Sequence, residues 1–295
     1  MTKRFFAFGC SFTDYHWPTW PDIIAHKLNR DGYECYNFGM AGSGNNLIAK
    51  TIRRADAVHQ FTDDDIIMIL WSSWNREDRY LGENPYWVLL GNVLNNDFYG
   101  DDFIMKYWSL DNDIITNIDA IRSVQHYNIA FQGALPHFET TMHNPDSVDY
   151  HDTLFDMFVN LPKDNQWNNL EYAAKFSNNL LNHISVHDGH PMPYHSLEFI
   201  KTVAQPNMDI KIYDDESAEF VKTITEFMEQ LAKKSLVTFG KERIQEGFVP
   251  TIVEYTAALR GQLYKGRQAD LWHNDQAAIE YLKENLDIMC FNKRK

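Results

Sequence analysis

An α/β fold built on a parallel sheet with helices on both faces is what the opening third of this 295-residue sequence predicts. Three observations predict it. Residues 4–9 form an almost continuous apolar run, which suits a strand buried on both sides rather than one with a wet face. Residues 66–71, Ile-Ile-Met-Ile-Leu-Trp, repeat that pattern behind the acidic turn Asp63-Asp64-Asp65. Between the two runs lie segments with apolar residues at helical spacing, so short strands alternate with amphipathic helices.

The elements follow in order. Strand one is residues 4–9, and a helix over 21–29 comes next, with Trp20, Ile23, Ile24 and Leu28 on one face. Residues 34–38 form a short second strand. The helix at 45–61 buries Leu47, Ile48, Ile52 and Ala55, and residues 66–71 are strand three. A fourth strand is expected at 128–133. Residues 76–112, rich in Tyr, Trp, Asn and Gly without a sustained period, are expected to insert loops and short helices at the rim of the site. A second insertion at 137–166, with its Pro, Asn and Asp residues, reads as a lid or binding loop. From about residue 214 the chain turns helical, with candidate helices at 215–235, 251–264 and 275–289. The expected organisation is therefore an α/β domain over 1–210 and a helical C-terminal extension over 211–295.

Composition narrows the function. Lys and Arg number 27 against 41 Asp and Glu, a net charge of −14, which opposes non-specific attraction to nucleic acid or anionic lipid. Nucleic acid and membrane are accordingly not expected as partners. Cys10, Cys35 and Cys290 have no metal-like spacing and are too few for a disulfide framework, which suits a reducing compartment. With no signal-like h-region and no apolar stretch of spanning length, a cytoplasmic location is expected.

The chemistry gathers where the strands end. Strand one runs into Gly9-Cys10-Ser11-Phe12-Thr13, which presents a serine at the carboxyl edge of the sheet, the edge where open α/β sheets bind ligands. Alone, such a serine more often begins a Ser/Thr turn. After strand two, residues 37–46 make a glycine-rich turn into a helix, whose backbone N–H groups can meet an oxyanion. After strand three, Trp71-Ser72-Ser73-Trp74-Asn75-Arg76 offers an amide to the same cleft. Asp188-Gly189-His190-Pro191 then precedes a helix expected over 195–203.

In that order, FGCSFT, NFGMAGSGN, ILWSSWNRE and DGHP resemble the four blocks of the SGNH (GDSL-like) hydrolase family over roughly the first two hundred residues. The resemblance implies a three-layer α/β/α fold of the SGNH/flavodoxin-like kind and a serine esterase acting on a small O-acyl ester, such as an acetyl group on a carbohydrate, without a cofactor. It implies Ser11 as nucleophile, His190 as base and Asp188 as the acid that orients it. The N–H groups of Gly42 and Ser11 and the amide of Asn75 would form the oxyanion hole, with Gly39 or Gly44 able to replace Gly42. Members with this form of third block include bacteriophage-encoded ones, which points toward a viral source and, in that case, association with a virion.

Two departures matter. Cys10 stands where the family has Asp, and Asp188 and His190 are two apart where the family spaces them by three. Asp270 and His273 have the spacing of three and form the alternative acid–base pair. Pro191, which fixes the backbone just past the imidazole, favours His190.

Other classes are weighed against this one. Gly39, Gly42 and Gly44 read GxxGxG, not the GxGxxG of a dinucleotide site, and no GK[ST] is present. A metal-assisted hydrolase through His187, His190 and His195 lacks HExxH or paired-Cys spacing, so no metal is expected. Trp20 and Trp71 fall on apolar faces and read as packing, whereas Trp17 and Trp74 adjoin the motifs and are expected to line the cleft. The remaining alternative is an SGNH-fold binding or structural protein with weak or no activity, using its C-terminal helices to dock a second copy or an assembly partner.

Overall fold

The computed structural model describes residues 2–72, 76–81, 86–92, 138–141, 190–240 and 243–273. At its centre is a parallel sheet of β1 (Arg4–Phe8), β2 (Glu34–Asn37), β3 (Ile66–Trp71), β6 (Phe138–Thr141) and β7 (Gly266–Arg267), in the order β6-β3-β1-β2-β7. A separate antiparallel hairpin, β4 (Arg76–Leu81) and β5 (Tyr86–Asn92), carries a register shift at Glu77/Asp78. The fold is thus α/β on a parallel sheet. β1 lies in the middle, flanked by β2 and β3, so whatever follows Phe8 emerges at the centre of the carboxyl edge.

Period-two alternation along the strands divides the core. Phe5, Ala7, Met68 and Leu70 face α1 (Trp20–Arg30) and α3 (Pro193–Phe199) in one buried cluster. Phe6, Phe8, Ile67, Ile69 and Trp71 face α2 (Asn45–His59) in another. Slipping β1 by one residue would send Phe5 and Phe6 to each other's faces, so the register is held by both clusters. Each buried ring or branched side chain contributes about 2–3 kcal/mol of transfer free energy.

The helix starts are specified locally. Thr19 caps α1 and Asp22 reaches back to the Thr19 N–H at 2.8 Å, with Pro21 in the first turn. Gly44, the residue capping α2, has no side chain to do this. Asp78 of β4 substitutes, accepting from the N–H groups of Gly44 (2.8 Å) and Leu47 (2.9 Å). Asn45 exchanges two hydrogen bonds with the backbone of Ser72 just past β3, at 2.7 and 3.1 Å. The hairpin and the end of β3 therefore fix the α2 terminus.

Several expectations change. The 76–112 stretch, read as loops and short helices, contains the β4–β5 hairpin. Its signal is Tyr86-Trp87-Val88-Leu89-Leu90 after Gly82-Glu83-Asn84-Pro85, a strand-prone run behind turn residues. The strand expected at 128–133 lies outside the described residues, and the strand beside β3 is β6, inside the stretch read as a lid. The 195–203 helix begins earlier, at Pro193, and passes through a π turn (Ile200–Ala204) into a 3₁₀ turn (Gln205–Asn207).

The region past 211 is helical over α4 (Asp215–Phe239) and α5 (Ile244–Leu263), followed by a short α6 (Gln268–His273). Pro250 is inside α5, which is why the sequence placed that helix's start near 251. The 275–289 helix lies outside the described residues. Packing is continuous across residue 210: Ile212, Val221, Leu263 and Tyr264 belong to the cluster that contains Phe5 and Ala7, and β7 pairs with β2. Among the described residues no helix is long and apolar enough to cross a membrane.

Candidate active site

Ser11 sits in a tight turn directly after β1. The Cys10 carbonyl accepts from the N–H groups of Thr13 (2.9 Å) and Asp14 (3.0 Å), which reverses the chain around the serine. Gly9 is required by space: a Cβ there would stand 2.0 Å from Thr13 Oγ1 and 2.9 Å from the Leu70 carbonyl. Cys10 points into the core and is fully buried, so its side chain does not take the place of a polar neighbour beside Ser11.

His190 meets the serine. Its Nε2 lies 2.9 Å from Ser11 Oγ, across 179 residues of sequence, a separation that suits proton transfer from hydroxyl to imidazole. The Ser11 residue as a whole is 3% exposed. The segment carrying His190 is held by Trp17, whose indole N–H donates to the Pro191 carbonyl at 2.7 Å. Trp17 is buried in the seam between α4 and α5 with Met228 and Phe248, so the expectation that it lines the cleft is corrected: it packs and tethers. Trp20 and Trp71 are buried as well.

The glycine-rich turn lies beside the serine turn. Met40 N–H donates to the Gly9 carbonyl at 3.1 Å, and Asn37 Nδ2 to the Thr13 carbonyl at 3.0 Å. Its glycines are not equivalent. Gly39 N–H is engaged by Asn37 Oδ1 and Gly44 N–H by Asp78. The N–H groups of Gly42 and Ser11 donate to no group among the described residues. Gly42 has φ 87°, left-handed backbone that only glycine adopts without strain. Of the three, Gly42 is the one whose donor is available.

Asp188 and Asn75 lie outside the described residues, as do Trp74 and His187. Asp270 is on α6, beyond β2 from β1, and its carboxylate accepts the Arg267 N–H at 2.7 Å at the helix start. His273 is the last residue of that helix. The structure thus brings Ser11 to His190, while Asp270 serves as a local cap. His195 Nδ1 accepts the Met192 N–H at 3.2 Å, and burial pushes this imidazole down to about 3, so it stays neutral. Among the described residues no three His, Cys, Asp or Glu side chains are grouped to hold a metal ion.

Sequence reasoning missed a charged cluster behind the site. Arg260 of α5, its side chain 4% exposed, donates to Asp22 (2.8 and 3.0 Å) and to the Tyr15 carbonyl (2.7 Å), and is paired with Asp14. Tyr264 OH donates to Asp22 at 2.8 Å, and Arg267 reaches Asp14 at 3.0 Å. Burial opposes the charge on Arg260, but Asp22 and Asp14 outweigh it and hold the guanidinium protonated. Burial also pushes the Asp14 carboxyl up, against the pull of Arg260 and Arg267. The signal was present: Ile244, Phe248, Ile252, Thr256 and Arg260 recur every four residues on the buried face of α5, and the last is a cation. A cavity of about 280 Å³ lies between this helix and the serine loop, lined by Asp14, Tyr15, Ala41, Thr256, Arg260 and Arg267 among others.

Comparison with protein-family models, curated proteins and solved structures found no match to this chain.

Proposed function

We propose that this protein is a serine hydrolase of the SGNH type, a three-layer α/β/α fold, that cleaves a small O-acyl ester. The observation that carries the reading is the 2.9 Å contact between Ser11 Oγ and His190 Nε2 at the carboxyl edge of the central strand. His190 removes the Ser11 proton as Oγ bonds to the carbonyl carbon. The carbonyl oxygen becomes an oxyanion, met by the N–H groups of Ser11 and Gly42 and the Asn75 amide. Collapse breaks the ester C–O bond, and imidazolium returns the proton to the leaving alcohol. Water then repeats the sequence on the acyl-serine and releases the acid. Asp188 supports the imidazolium.

An acetyl or similar group on a carbohydrate is the favoured substrate. The cavity between α5 and the loop after Ser11 has Asp14, Arg260 and Arg267 in its wall, groups that hydrogen-bond sugar hydroxyls, although neither Ser11 nor His190 lines it. The C-terminal helices are in this reading also a docking face for a second copy or an assembly partner, with Val237 and Phe239 exposed near the end of α4.

Labelling with a fluorophosphonate tests the reading, because it requires an activated serine. Wild type should label and turn over an acetyl ester, whereas Ser11→Ala and His190→Ala should do neither while remaining folded, and His273→Ala should keep both. A chain that never labels is an SGNH-fold binding protein instead. Loss of activity in His273→Ala alone would move the base to the C-terminal segment.

A further inference from the structure

The loop after the nucleophile is gripped from behind by the C-terminal helices, and we propose that Tyr15 is a positioning residue for His190, held against the imidazole by Arg260. This rests on the reading of Ser11 and His190 as nucleophile and base. The Tyr15 ring lies parallel to the imidazole, centroids 3.6 Å apart and planes at 13°. Phe12 meets the same imidazole edge-on at 5.5 Å and 65°. Two aromatic rings therefore contact the imidazole, one of them stacked on its face, in the rotation that turns Nε2 toward Ser11.

Tyr15 also packs edge-on against Trp17 at 4.7 Å, and Trp17 holds the Pro191 carbonyl. Side chain and backbone of the base are thus located by one short loop. That loop belongs to no helix or strand, and α5 holds two of its carbonyls. Arg260 takes the Tyr15 carbonyl at 2.7 Å and the Trp17 carbonyl at 3.4 Å with the same guanidinium that binds Asp22. An arginine fork can do this because its donors are set in a rigid plane, whereas a lysine offers one point of charge. Among the described residues the charged groups around the loop are Asp14, Asp22, Arg260 and Arg267, with the His16 ring tilted against Tyr15 at 4.5 Å.

The test compares Tyr15→Phe, which keeps the aromatic face, with Tyr15→Leu, which fills similar space without one. Two readouts are taken on the full chain, after urea unfolding confirms that both variants fold. The first is fluorophosphonate labelling, resolved into a maximal rate and a half-saturating concentration. Tyr15→Phe should stay within about twofold of wild type, and Tyr15→Leu should lose about tenfold in maximal rate with its half-saturation unchanged. The second is the ¹⁵N shifts of His190, which report the tautomer and the bond to Ser11 whether or not the protein reacts. These should persist in Tyr15→Phe and move toward those of a water-exposed imidazole in Tyr15→Leu. Wild-type shifts in Tyr15→Leu overturn the proposal, and so does equal labelling by the two variants of a protein whose wild type labels. A wild type that never labels but shows the Tyr15-dependent shifts removes the hydrolase reading and leaves the positioning contact standing.

Discussion

Replacing Arg260 with methionine should destabilise the whole molecule and not merely its C-terminal helices. Methionine keeps the apolar stem and removes every donor. Asp22, fully buried, would retain the Thr19 N–H and the Tyr264 hydroxyl but lose its countercharge, and the Tyr15 and Trp17 carbonyls would lose their donor. Removing one partner of a buried ion pair costs about 3–5 kcal/mol, and the bonds left to Asp22 place this case near the lower end. For a chain of this length that corresponds to roughly 2 °C per kcal/mol, or a fall of about 6 °C in the thermal midpoint. Arg267→Met is the control: its side chain is 40% exposed and its pair with Asp14 should be worth less than about 1 kcal/mol. Thermal unfolding followed by far-ultraviolet circular dichroism reads both. An Arg260→Met protein that melts within about 2 °C of wild type would refute the reasoning. So would two transitions of which only the smaller moves, because α4 and α5 would then be an appendage rather than part of the shared core.

Other outcomes follow from the same geometry. Asn75→Ala should lower ester turnover by about a hundredfold to a thousandfold if its amide meets the oxyanion, and unchanged turnover places the third donor elsewhere. Asp78→Ala removes the acceptor for the Gly44 and Leu47 N–H groups and should cost about 1–2 kcal/mol in urea unfolding; a loss under about 0.3 kcal/mol would mean water caps α2 equally well. His195 stays neutral when folded down to about pH 3, while the unfolded chain takes up a proton below about 6.5, so its contribution is full above that value and is lost progressively as pH falls toward 3. Over that window the wild-type urea midpoint should fall more steeply than that of His195→Gln, and parallel curves would count against a buried neutral imidazole.

The parts of the fold legible in the sequence are those whose hydrophobic pattern is self-contained. β1 past Arg4 and the whole of β3 are buried on both faces and so are apolar, and α1 and α2 carry their stripes on one side. The less legible parts depend on partners far along the chain. β7 is two residues long and exists because Gly266 and Arg267 find Tyr36 and Asn37 across the sheet edge, which no local pattern announces. α5 runs through Pro250, a residue that by itself argues for a boundary, because packing around Phe248 and Ile252 outweighs the lost hydrogen bond.

The site divides along the same line. The turns that carry Ser11 and Gly42 are readable because Gly9 is demanded by space and Gly42 by its left-handed backbone, and such demands leave residue types in the sequence. Tyr15 and Arg260 are not, because neither does anything alone: a tyrosine four residues past a serine is unremarked until an imidazole from residue 190 arrives on its face. Arg260 stands in a stripe where size and apolarity would serve packing as well, and a buried charge cluster is a weak source of net stability. What a methionine could not do is hold two loop carbonyls and a carboxylate in one plane. The requirement that keeps an arginine there is thus geometric, and it is imposed by the loop that carries Tyr15 and Trp17 to His190 and Pro191. α5 thereby completes the candidate site: the turn after β1 carries Ser11, the segment before α3 carries His190, and an arginine 245 residues from Tyr15 holds the loop packed against that imidazole.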